Sequence, residues 1–301
     1  MKKFLLHLVS LRRNSETISQ YLLPLSRFLI FINSKQIFEI EDVTESCIMS
    51  FMSTQTNNQI SIVSKFRVFL KFLFDENILH SDLSSVLKHY KWTRREKLPS
   101  VYTSKEVLQI ESSIHRAIAC GKRDYAIFLL ASRLGLRASD IAQLSFNNIG
   151  WENSTITLSQ VKTENLIELP LLENVGESII DCLKYGRKKS DSNRVFLYTK
   201  APFTPMTGDA VSMAIRRLII ASGVDTNHRK QGSHALRHSL ASRFLENSES
   251  IPVISEALGH QSTNTTMNYL RIDVGHLRKC ALNIPPVEKS FYEQKGGIFY
   301  E

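Results

Sequence analysis

Apolar residues recur along the first ninety positions at the spacing of a helix face. Ile18, Leu22, Leu25, Leu29 and Ile32 follow one another three or four apart, on one side of a 3.6-residue turn. Ser15 stands just ahead of Glu16 and reads as the N-cap, while Pro24 falls inside the pattern and predicts a kink or a locally broken turn. A shorter helix is predicted over 41–52. A third covers 59–74, with Ile62, Phe66, Phe69, Leu70 and Leu73 on its apolar side and Lys65, Arg67 and Lys71 largely away from it. A short fourth follows over 81–87. Nothing in this region has the look of catalytic chemistry.

The periodicity breaks at 88–99, a polar and basic run that ends in Leu98-Pro99. It reads as a linker, placed at 94–100, between a helical domain at 1–93 and a second domain at 101–273. Thr103-Ser104-Lys105-Glu106 is a capping box that opens this second domain. Helices are predicted at 104–118 and 121–134. The pattern then changes period: Thr155 to Leu158 and Leu166 to Leu169 alternate as strands around a turn that contains Lys162. Val195 to Leu197 predicts a further short strand. Helical spacing returns at 174–186, 208–222, 234–247 and 251–259. The expected fold class is therefore mainly α with a small antiparallel β-sheet. A last short helix over 274–282 and a tail to residue 301 are expected to dock on a neighbouring copy, the alternative being a tail folded back on its own chain.

Length and composition add limits. A chain of 301 residues can bury a core in each of two domains. The formal net charge of +9 favours a polyanionic partner. The 4 cysteines, Cys47, Cys120, Cys182 and Cys280, are scattered with no Cys-x-x-Cys pair, which speaks for reduced thiols rather than disulfides or zinc. The apolar start from Phe4 to Val9 imitates a secretory leader, but Arg12 and Arg13 follow at once and no small-residue cleavage site appears. Phe28 to Ile32 is too short to span a bilayer. The expectation is a soluble, cytoplasmic protein associated with the nucleoid and without membrane contact.

The chemistry sits in the last third. His234 and Arg237 lie in Ser233-His234-Ala235-Leu236-Arg237-His238, three apart and so on one helix face. His260 closes Ala257-Leu258-Gly259-His260, where the glycine is a helix C-terminal signal. Tyr269 follows in Met267-Asn268-Tyr269. Upstream, Gly135-Leu136-Arg137-Ala138-Ser139-Asp140 puts an arginine at a helix start, where Ser139 and Asp140 suit capping. A tyrosine hydroxyl can attack a phosphodiester, and cationic and donor groups can hold the crowded phosphate. His234 and His238 are also spaced for zinc, but Ala235 stands where a zinc hydrolase needs glutamate. Each motif alone is an ordinary cap, turn or packing residue. It is their combination and order that carry the signal.

The set Arg137, Lys162, His234, Arg237, His260 and Tyr269 resembles the signature of the tyrosine recombinases, the phage integrase family. The motifs run over residues 103–270, and an N-terminal helical domain of this length also fits the family. The resemblance implies a helical core-binding domain that clamps DNA, joined to a tyrosine-recombinase catalytic domain. It implies attack by Tyr269 to give a 3′-phosphotyrosyl link. Arg137 and Arg237 would stabilise the transition state, and His260 would donate to a non-bridging oxygen. His234 would assist at the tyrosine proton and Lys162 would protonate the leaving oxygen. No cofactor and no metal are implied. The partners implied are double-stranded DNA with a specific recombination site, a homo-tetramer on two such sites, and accessory or directionality proteins. Lys65, Arg67 and Lys71, linker residues Arg94, Arg95 and Lys97, and Arg216 and Arg217 are the candidate DNA contacts. With no arm-binding domain expected ahead of residue 1, the architecture resembles the Xer or transposon type. A type IB topoisomerase, or a DNA-binding module with an inactive site, are the alternatives.

Overall fold

Helices in the first unit form where phenylalanines can meet. The computed structural model describes residues 1–55, 59–88, 100–259 and 266, and the chain divides into two units, Met1–Glu96 and Lys97–Glu301. Helices α1 (Lys2–Ser10), α2 (Ser15–Ser34), α3 (Glu45–Ser53) and α4 (Gln59–Asp75) make the first unit. Phe4 packs edge-on against Tyr21 and Phe69 at centroid distances of 5.4 and 5.1 Å, and Phe28 does the same against Phe51 and Phe66 at 5.1 and 5.0 Å. Edge-to-face rings interlock without voids, so this core specifies one packing.

Several expectations change here. The segment that imitates a leader is helix α1, with Phe4 and Leu8 buried one turn apart. The N-cap of α2 is Asn14, whose side chain accepts the Glu16 N–H, and not Ser15. Pro24 neither breaks nor ends α2, which runs on to Ser34. Its missing N–H would have served the carbonyl of Gln20, an exposed residue where water can take the bond. The helix expected at 41–52 starts only at Glu45, after a single 3₁₀ turn at Ile40–Asp42. The fourth helix is likewise 3₁₀, Leu83–Lys88.

The second unit is built around a helix whose middle is apolar on every side. It comprises α5 (Ser104–Ser112), α6 (Ala119–Arg133), α7 (Ala138–Gln143), β1 (Ile149–Gly150), β2 (Thr155–Ser159), β3 (Leu166–Pro170), α8 (Glu173–Asp181), α9 (Gly208–Ala221), α10 (Ser233–Glu246) and α11 (Ile251–Leu258). Residues 126 to 131 of α6 are all fully buried, the mark of a central helix. The three strands pair in chain order, antiparallel, with Ile156 opposite Leu169 and Leu158 opposite Ile167. These four side chains face the core. The capping box of Thr103 and Glu106 is present, but α5 stops at Ser112 rather than 118. Ser112 and Ser113 turn their hydroxyls back onto the carbonyls of Gln109 and Ile110, bonds that compete with helix extension. The helix expected at 174–186 is α8 followed by a π turn, Cys182–Gly186. Val195 to Leu197 are buried, yet they form no strand: Leu197 makes an isolated bridge to Pro205, and a second isolated bridge, Ser145–Arg194, lies just before them.

Among the described residues no helix is long and apolar enough to cross a membrane. The expected C-terminal helix and tail, 274–301, lie outside the described residues.

Candidate active site

Four turns meet around the first residues of α10. The anchor is Arg237, only 3% exposed. Its Nη1 donates to the carbonyl of Gly135 at 2.7 Å, and its Nη2 donates to the carbonyl of Leu258. One guanidinium thus ties the loop before α7 to the end of α11. A buried arginine needs such acceptors, because an unpaired charge in the interior is costly. Both loops turn on left-handed glycines, Gly135 at φ +64° and Gly259 at φ +62°. A Cβ on Gly135 would lie 2.8 Å from Leu258 Cδ2 and 3.0 Å from Leu240 Cδ2. Glycine is required there for both backbone and space.

Arg137 is the N-cap of α7, as the helix-start reading expects. The reading of Asp140 as a cap is corrected. No side chain caps α7; Asp140 sits in its first turn, and its Oδ1 accepts the N–H of Val161 across the chain at 2.9 Å. Its Oδ2 lies 3.9 Å from Arg137 Nη1. Those two atoms are buried and have no hydrogen-bond partner among the described residues. Asp140 therefore holds the β2–β3 hairpin beside Arg137.

Lys162 lies at the tip of that hairpin, exposed. The loop is closed by Gln160 and Asn165, and by Glu164 in a left-handed turn whose N–H donates to Gln160 O at 2.8 Å. Gln160 is buried, 1% exposed, and its Nε2 donates to the carbonyl of Leu258 at 3.2 Å. Leu258 O thus receives donors from both Arg237 and Gln160.

The electrostatics converge on His234, the second residue of α10. Desolvation first, then the charges of Arg237, Lys162, Arg137 and Lys230, hold its imidazole below its ordinary pKa. Four cations act on this one ring, which is where an anion gains most. His238, one turn on, is pushed down to about 4 by burial and then by His234, Lys230 and Arg237. Lys230 comes from a loop pinned at its backbone. Its N–H donates to Ser100 Oγ at 2.8 Å, and its carbonyl accepts Tyr102 Oη at 3.1 Å.

Of the expected residues, the structure brings together Arg137, Lys162, His234 and Arg237. His260 and Tyr269 lie outside the described residues, although α11 ends at left-handed Gly259 directly before His260. Sequence reasoning missed Lys230, Asp140 as a link and Gln160. A signal for Gln160 existed. It continues the inward phase of Ile156 and Leu158, so the alternation of β2 places a polar side chain on the buried face. Among the described residues no group of three or more His, Cys, Asp or Glu is arranged to hold a metal ion. Burial pushes the Cys182 thiol up to about 11, which removes it as a nucleophile at neutral pH.

The candidate DNA contacts differ in their freedom. Arg67, Arg216 and Arg217 are exposed. Arg216 Nε donates to Gln231 Oε1 at 3.3 Å, and Lys65 Nζ donates to Ser61 Oγ at 2.9 Å. Lys71 is held by Asp75 at 3.0 Å and Asp82 at 3.7 Å. Arg94, Arg95 and Lys97 lie outside the described residues.

The phage integrase family matches residues 101–276. The protein y4rA of Sinorhizobium fredii, named as an integrase/recombinase, is 34% identical over 225 residues, 74% of this chain and 54% of its own. A second protein of that name and organism, y4gC, is 33% identical over 194 residues, 64% of this chain and 100% of its own. The chain thus spans about half the length of y4rA and all of y4gC. The fold also matches a solved structure, the XerH site-specific recombinase bound to palindromic difH substrate in a post-cleavage complex. The TM-score is 0.72 at 21% identity, covering 92% of this chain and 80% of that one. The chain belongs to the phage integrase family.

Proposed function

We propose that this protein is a site-specific DNA recombinase or integrase that cleaves and rejoins DNA through a phosphotyrosyl intermediate. The observation that carries the reading is the gathering of Arg137, Lys162, His234 and Arg237 by the turns that Arg237, Asp140 and Gln160 join. Such a cluster suits the crowded, charge-rich transition state of phosphodiester exchange. Tyr269 Oη attacks phosphorus, and the bond from phosphorus to the 5′ oxygen breaks. The phenolic proton passes to His234, which is neutral near pH 7 because its pKa is lowered. Lys162 gives a proton to the departing 5′ oxygen, and Arg137, Arg237 and His260 hold the non-bridging oxygens. The products are a 3′-phosphotyrosyl link and a free 5′-hydroxyl. The bond energy is retained in the link, so the reverse step needs no cofactor. Four copies on two DNA sites would exchange the strands.

The test is capture of the covalent link. The full chain is incubated with a library of random duplexes, each carrying a nick that lets the cleaved end diffuse away. Denaturation-resistant protein–DNA complexes are recovered and sequenced, which also reveals the target site. Tyr269→Phe should recover none, and wild-type recovery should persist in excess EDTA. Recovery by Tyr269→Phe, or none by the wild type, would overturn the reading. Relaxation of supercoiled DNA by a lone monomer would favour the topoisomerase alternative.

A further inference from the structure

We infer that Gln160 is a positioning residue for Lys162, and that it sets the lysine's place relative to Arg237 and the turn before His260. The inference rests on the general-acid reading of Lys162 proposed above. Its ground is four contacts made by one buried residue at the root of the lysine loop. The backbone N–H donates to Asn165 O at 2.9 Å and the carbonyl accepts Glu164 N–H at 2.8 Å, which closes the loop. The side-chain Oε1 accepts Thr163 Oγ1 at 2.7 Å, the residue next to Lys162. The side-chain Nε2 reaches out of the loop to Leu258 O at 3.2 Å. That same carbonyl accepts Arg237. A Cβ on Gly259 would fall 2.5 Å from Gln160 Nε2 and 2.8 Å from its Cδ and Oε1. The amide therefore lies directly against the backbone that leads into His260.

The consequence is geometric. An exposed lysine on a loop tip has four rotatable bonds and spends most of its time in water. Proton transfer needs its Nζ within hydrogen-bond reach of the departing oxygen. The loop can meet that need only if its root is fixed against the groups that hold the phosphate. Asp140 fixes it on one side through Val161 N–H, and Gln160 fixes it on the other through Leu258 O. Gln160 touches neither the phosphate nor the proton in this scheme and is a positioning residue for Lys162.

The experiment separates loss of positioning from loss of fold. The target duplex recovered by adduct capture is synthesised with either oxygen or sulphur at the bridging 5′ position of the cleaved bond. A thiolate is a far weaker base than an alkoxide and leaves without a proton, so a defect in the proton donor vanishes on the sulphur duplex. Gln160→Leu keeps the volume and removes the two side-chain hydrogen bonds, to Leu258 O and from Thr163 Oγ1, while the backbone bonds that close the loop remain. It should slow cleavage of the oxygen duplex by about tenfold or more, a part of what a general acid supplies. It should bind that duplex as the parent does and cleave the sulphur duplex at close to the parent rate. Lys162→Ala should show the same pattern more strongly, and the double variant should be no slower than Lys162→Ala alone. Thr163→Val removes one partner of the same amide, and a smaller defect rescued by sulphur is expected; it stands in if Gln160→Leu does not fold. Equal slowing on both duplexes, or none on oxygen, would overturn the inference while leaving the function intact. Failure of sulphur to rescue Lys162→Ala would instead overturn the general-acid role on which the inference stands.

Discussion

Arg237 and His238 are neighbours in sequence with opposite electrostatic fates. The arginine keeps its charge indoors by bonding two carbonyls. The histidine stays neutral, with its pKa pushed down to about 4. Its unfolded pKa is near 6.5, so the folded state binds fewer protons there than the unfolded one. The stabilisation is complete above about 6.5 and is lost as pH falls from there toward about 4. The unfolding free energy, measured by urea titration across this window, should fall less steeply in His238→Gln than in the parent. An equal slope would place the proton uptake elsewhere. Gly259→Ala should destabilise by at least about 1 kcal/mol from the left-handed backbone alone. It should also lower the cleavage rate, because the new methyl displaces Gln160. At this scale the residues that meet around the start of α10, namely Arg137, Lys162, His234 and Arg237, were legible in sequence. The supports were not, since Asp140 and Lys230 are ordinary polar residues until folding supplies Val161 and Ser100 as partners.

Elements followed their hydrophobic period closely, and departed from it where a side chain or a solvent contact decided the matter. The β2–β3 hairpin and α10 lie within one residue of expectation, because alternation and helical spacing there are strong and both have a core to face. The end of α5 and the continuity of α2 were not legible. One depends on serine hydroxyls that turn back, the other on water access to Gln20. Helix α10 also holds the entry to the domain. Ser239 Oγ accepts Tyr102 N–H at 2.7 Å and donates to Ala235 O at 2.8 Å. Ser239→Ala leaves the Tyr102 N–H buried without a partner, at a cost of about 1–3 kcal/mol. A shift of the urea midpoint of that size, with no change in the slope of unfolding, is the expected result. A midpoint unmoved by the substitution would mean that the segment around Tyr102 relaxes freely.

For the whole molecule the basic excess becomes a statement about salt. Each phosphate neutralised contributes about 0.9 to the slope of log K against log salt. Arg67→Ala should flatten that slope by roughly this amount. Lys71→Ala should flatten it less, because Asp75 and Asp82 already compete for its charge. A fragment starting at Val101 should bind with a clearly shallower slope than the full chain, and an unchanged slope would show that the first unit contributes no phosphate contact. The exposed arginines of α9, Arg216 and Arg217, remain in that fragment and are expected to contribute to its residual salt dependence. The seating of Arg237 bears on how a recombinase of the proposed kind would acquire new addresses on DNA. The hydrogen bonds that seat Arg237 go to main-chain carbonyls, which any amino acid supplies. So long as the two glycine turns persist, side chains on the surface can drift without disturbing the chemistry. The apparatus that breaks the strand and the code that selects the strand are then free to evolve at different rates.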